Sequence, residues 1–126
     1  MKQIIQTDQA PAPVGAYSQA VQFNGMLFLS GSIAIHPDTG ELVLDDIQSE
    51  THQVMRNIEA VLREAGSGFD KVLKCSVFVS DILNFAAINE VYASYFDAAT
   101  APARELVEVA ALPKGVNVEI SVIAAA

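Results

Sequence analysis

Residues 103–124 read ARELVEVAALPKGVNVEISVIA. On either side of ALPKG, apolar side chains alternate with polar ones, the period of two that a half-buried strand requires. The stretch predicts strands over Ala103–Ala110 and Val116–Ala124, two strands in succession at the end of a chain that has already formed helices. If they are antiparallel neighbours, Arg104 can meet Glu119 across the ladder; a wider ALPKG loop would shift that register. Arg104 and Glu119 are charges set in mostly apolar strands, and each needs a partner. A guanidinium in partly apolar surroundings costs several kcal/mol, on the order expected for an ion, unless an anion offsets it. Its planar fork matches a carboxylate in two places at once. The partner is either a protein carboxylate such as Glu108 or Glu119, or a ligand.

Working backwards, Ile82–Phe96 predicts a helix with Phe85, Ile88, Tyr92, Tyr95 and Phe96 on one face, and Val72–Val79 is a β-rich run. Upstream, Ile47, Thr51, Val54, Met55, Ile58, Val61, Leu62 and Ala65 recur at three- and four-residue steps, predicting a helix that ends at Gly66. Asp45 with Gln48 resembles its capping box. Ser18–Phe23 and Met26–Ile35 predict a hairpin around Asn24-Gly25, the dipeptide best suited to a tight turn with positive φ. APAPVG (10–15) reads as an extended loop and residues 2–6 as a short first strand. The order β-β-β-α-β-α-β-β defines an α+β domain over residues 1–126, its helices covering one face of a sheet. The other face, alternately apolar, is expected to be covered by self-association.

Composition narrows the function. Seven basic against fifteen acidic residues give a formal charge of -8, so the chain repels phosphate backbones and anionic membranes, and its basic residues form no run. A nucleic-acid partner is not expected. The hydrophobic fraction of 52% is high for 126 residues and again favours an oligomer. A single cysteine, Cys75, excludes an internal disulfide and reads as a small buried hydrophobe. With no apolar leader and no 18-residue apolar run, the expected location is the cytoplasm. His36 and His52 are sixteen residues apart and unaccompanied by clustered ligands, so no metal is expected. Tyr17 and Ser30-Gly31-Ser32 sit where loop meets strand; each is a candidate pocket wall or an ordinary packing element. No nucleophile elbow or phosphate loop occurs.

Taken together, APAPVGAYSQAV, NGMLFLSGSIAIHPDTGEL, NIEAVLREAG, VFVSDILNFAAINEVYASYF and PARELVEVAALPKGVNVEISVIA resemble the YjgF/RidA family, collinearly over essentially the whole chain. The resemblance implies a chorismate-mutase-like fold and a homotrimer with clefts between subunits. It also implies cofactor-independent hydrolysis of reactive enamine/imine acids, such as 2-iminobutanoate and 2-iminopropanoate, to 2-oxo acids and ammonia. By position, Arg104 is similar to the family's carboxylate-binding arginine and Glu119 to the acid that positions water. Tyr17, Ser30, Gly31, Asn89, Glu105 and Leu106 fall at substrate-contacting positions, Leu106 standing where many members carry cysteine. A carboxylate-binding module without turnover, a ribonuclease and a holdase chaperone are the alternatives.

Overall fold

The computed structural model describes all 126 residues. Strands β1 (Gln3–Ile5), β2 (Ala20–Phe23) and β3 (Met26–Ser32) precede helix α1 (Ile47–Glu64); β4 (Val72–Val79), helix α2 (Phe85–Ala93), β5 (Ala103–Glu108) and β6 (Val118–Ala125) follow. All six strands form one sheet in the order β1-β2-β3-β6-β4-β5, and both helices pack on one face. The α+β reading holds, as does the hairpin: Asn24 and Gly25 take φ of 51° and 76° between paired Phe23 and Met26.

The pairing of the last two strands is corrected. β5 lies parallel to β4, at the edge, whereas β6 crosses to the middle and runs antiparallel to both β3 and β4. Burial accounts for the order. Val118, Ile120, Val122 and Ala124 are almost fully buried, and a strand with one wholly apolar face belongs where neighbours satisfy both of its edges. β5 carries Arg104, Glu105 and Glu108, charges suited to an edge. Arg104 therefore does not face Glu119 across a ladder.

Boundaries differ from expectation where caps and turns intervene. Asp46, not Asp45, caps α1: its side chain accepts from the Ser49 N–H at 2.7 Å. Gly66, at φ 75°, follows the helix end as anticipated. Asp81 accepts from the Leu83 N–H and bends residues 82–84 into a 3-10 turn, so α2 starts at Phe85 and stops at Ala93. Between the helices and the sheet, Val54, Met55, Ile58 and Leu62 meet Ile88, Leu27, Val77 and Ile120 in a single core. One acidic residue is sealed inside it. Glu50, fully buried, accepts from the Asn117 N–H (2.7 Å), the Val118 N–H (3.2 Å) and the Asn117 side-chain amide (2.8 Å), tying α1 to the first residue of β6.

Candidate active site

Strand register decides which candidates can meet. Arg104 pairs with Cys75, and Glu119 with Phe78, on β4. Cys75 and Phe78 are three residues apart in an uninterrupted stretch of strand, so their side chains, and those of their partners, lie on opposite faces of the sheet. One chain thus presents two separate groups.

The first faces α2. The Arg104 guanidinium carbon stands 4.8 Å from the centroid of the Tyr92 ring and 5.8 Å from that of Phe85, and its Nη1 donates to Asn89 Oδ1 at 2.8 Å. Neither of the chain's ion pairs, Arg63–Glu59 and Lys74–Glu105, involves it. Glu108, one of its possible structural partners, instead accepts from the Ile82 N–H. The guanidinium is therefore stacked and aimed, with most of its five N–H donors uncommitted. Beneath it, the Tyr92 hydroxyl is buried beside the Cys75 thiol and makes no well-aligned hydrogen bond; burial pushes both groups above their ordinary pKa. Leu106 shares this face, pairing with Val77 and packing on the core. Glu105 points to the other face, where the Ser76 hydroxyl donates to it and Lys74 pairs with it at 3.0 Å; those two contacts hold its carboxyl below the usual range.

The second group lies on the open face, around Glu119. β3 bulges between Leu29 and Ser32, and the Glu119 side chain lies flat on the bulge. A Cβ added at Gly31 would come 2.5 Å from Glu119 Oε2 and 2.9 Å from its Cδ. The missing Cβ at Gly31 is what lets the Glu119 carboxyl lie this close to the backbone. Burial raises the Glu119 carboxyl above its ordinary value of 4.5, with no cation beside it to oppose the shift. Ser30 donates to the Ser18 carbonyl at 2.6 Å, and the Tyr17 hydroxyl accepts from the Val14 N–H at 3.3 Å. Tyr17, Ser30, Gly31 and Glu119 share the wall of one cavity of about 460 Å³; Arg104, Asn89, Glu105 and Leu106 do not.

Replacing Gly31 with alanine is expected to leave the unfolding free energy within about 1 kcal/mol, because only the end of a flexible side chain must move. The carboxyl would swing toward water and its pKa would fall toward 4.5. Carboxyl-resolved NMR titration measures this directly. Stability carries the same sign: a raised folded pKa contributes below the unfolded value and is lost as pH rises through the folded one. The wild type should lose that contribution above pH 4.5, and the variant should not.

Sheet order and helix placement define a YjgF-type, chorismate-mutase-like α+β protein. The pattern of the endoribonuclease L-PSP family matches residues 7–126, and the chain belongs to that family, also called YjgF/RidA/RutC. It is similar to a Rid family protein of Yersinia pestis, at 51% identity and a TM-score of 0.97 over 100% of both chains. It is also similar to Escherichia coli TdcF with bound serine, at 40% identity and a TM-score of 0.92, covering 98% of each. The chloroplastic Reactive Intermediate Deaminase A of Arabidopsis thaliana is 39% identical over 123 residues, 98% of this chain and 65% of that protein. Several bacterial and archaeal relatives at 44–52% identity bear only RutC family names.

Sequence reasoning singled out Arg104 and Glu119 but missed Glu50, which anchors the strand that carries Glu119. Its signal was positional: Glu50 stands three and four residues from Ile47 and Val54, on the apolar stripe of α1 rather than its wet face.

Proposed function

We propose that this protein hydrolyses reactive enamine/imine acids, such as 2-iminobutanoate and 2-iminopropanoate, to 2-oxo acids and ammonia. The observation that carries the reading is Arg104, an oriented guanidinium with no carboxylate of its own. A 2-imino acid supplies that carboxylate. The kinship to a reactive intermediate deaminase and to a protein crystallised with serine, itself a small amino acid, supports the same substrate class.

The chemistry is within reach of these residues. Water adds to C2 of the protonated imine and its proton passes to the Glu119 carboxylate. The carbinolamine then collapses: Glu119 returns its proton to nitrogen, the C2–N bond breaks and ammonia leaves, and the hydroxyl proton passes back to the Glu119 carboxylate as the C2=O bond forms, to be carried off by ammonia as ammonium. A carboxyl raised by burial exchanges protons nearer neutrality than an ordinary glutamate. The iminium carbon is already electrophilic, so positioning supplies most of the remaining acceleration.

Arg104 and Glu119 occupy opposite faces of one sheet, and we place them together by assembling a homotrimer whose clefts join one subunit's arginine to the next subunit's glutamate. The open face supports this: Phe28 and Val107 are 42% and 43% exposed there, beside Ile123 and Phe78. The formal charge of -8 opposes the ribonuclease activity that the family's name carries.

An amino-acid oxidase or threonine dehydratase can supply the imine while semicarbazide traps it. The protein is expected to hasten 2-oxo acid release and to lower semicarbazone yield, with a trimer's mass in sedimentation. Saturable binding of 2-oxo acids with no acceleration would leave a binding module and overturn the enzyme.

A further inference from the structure

The cavity at Glu119 is larger than the substrate just described. About 460 Å³ lies within the roughly 300–1,000 Å³ that holds drug-sized ligands, far more than a three-carbon acid fills. It reaches from Glu119 and Gly31, past Tyr17 and under the 10–17 loop, to Ile58 and Val61 on α1. Ile33 and Ile35 form further parts of its wall.

Apart from Glu119 and Lys114, its polar wall residues are occupied elsewhere. Gln19 donates to the Thr7, Ala10 and Pro11 carbonyls and accepts from the Thr7 N–H, which pins the loop that roofs the recess. Asn57 donates to the Ile33 and Ile35 carbonyls and accepts from Gln53, and Ser32 turns to the Val54 carbonyl. What remains toward the α1 end is an aliphatic surface. Water held there lacks partners, so an apolar group gains by displacing it.

Resting on the deaminase reading, we infer that the recess receives the substrate's side chain, and that this protein selects imino acids with a large aliphatic side chain over two-carbon and one-carbon ones. The carboxylate is gripped by Arg104, C2 lies at Glu119, and the chain at C3 and beyond runs toward Ile58 and Val61. Each methylene buried in such a surface raises kcat/KM about fourfold, so an isobutyl chain should exceed a methyl by at least about tenfold.

The test is a substrate series made by an L-amino-acid oxidase from alanine, 2-aminobutyrate, norvaline and leucine, each rate compared with its own uncatalysed control. The leucine-derived imine is expected to give a kcat/KM at least tenfold above the alanine-derived one. In Ala12→Phe, where an exposed rim residue gains a ring that fills the recess, that ratio should fall to about one. Calorimetry on wild-type protein needs no turnover and no variant: 4-methyl-2-oxopentanoate should bind at least tenfold tighter than pyruvate. Acceleration of the alanine-derived imine with a flat or falling series, or equal binding of the two oxo acids, overturns the inference and leaves the deaminase standing. Absence of acceleration for every imine overturns the deaminase reading beneath it.

Discussion

Arg104→Ala is expected to lower kcat/KM for 2-iminopropanoate by about two to three orders of magnitude, while the protein keeps its fold and assembly. The size follows from what is lost: truncating one partner of a desolvated, hydrogen-bonded charge pair costs about 2–5 kcal/mol, and each 1.36 kcal/mol is tenfold in rate. Stability should change by no more than about 1 kcal/mol, because Arg104 gives the fold only its contacts with the Tyr92 and Phe85 rings and one hydrogen bond to Asn89 at a partly exposed edge. Arg104→Lys separates shape from charge. An ammonium restores the sign of the field but neither the fork nor the flat stack, so it should recover less than tenfold of the loss. Steady-state rates of 2-oxo acid release, with sedimentation on the same samples, decide the matter. An alanine variant within threefold of wild type would remove the carboxylate clamp from the mechanism.

That arginine could be singled out from sequence because its oddity is local: a guanidinium beside Ala103 in a mostly apolar strand is visible without coordinates. The same holds for β4, expected and found at Val72–Val79, and for the Asn24-Gly25 turn, where two positive φ angles are a property of two residues. Strand neighbours are another matter. Alternation says that a segment is a strand with one buried face; it does not say which edge it pairs with. The loop after β5 is long enough to carry β6 past β4, and the wholly buried face of β6 is what draws it inside. The division of the polar residues follows from that crossing. So does the recess, which depends on Gln19 reaching back to carbonyls as many as twelve residues away. Such long-range hydrogen bonds leave no period in the sequence.

Glu50 belongs to the same class of hidden determinants, and its removal should cost the fold far more than the loss of Arg104 or a methyl added at Gly31. In Glu50→Ala the buried Val118 N–H and the partly buried N–H and side-chain amide of Asn117 all lose their acceptor, and a fully buried side chain leaves a void. Buried donors stranded this way, with the loss of a hydrogen-bonded carboxyl, cost about 3–5 kcal/mol, much of what holds an ordinary domain together. Glu50→Gln keeps the volume and one acceptor oxygen but turns an amide against a donor, and should cost about half as much. Urea unfolding at matched protein concentration measures both, since an assembling protein's midpoint shifts with concentration. A loss under about 1 kcal/mol for the alanine variant would mean that the head of β6 finds other partners. The consequence reaches the chemistry, because Asn117 and Val118 lead directly into Glu119. When β6 starts from an anchored residue, its second residue, Glu119, meets the Gly31 bulge in a fixed register, and a frayed start would free the carboxyl that the mechanism needs in place.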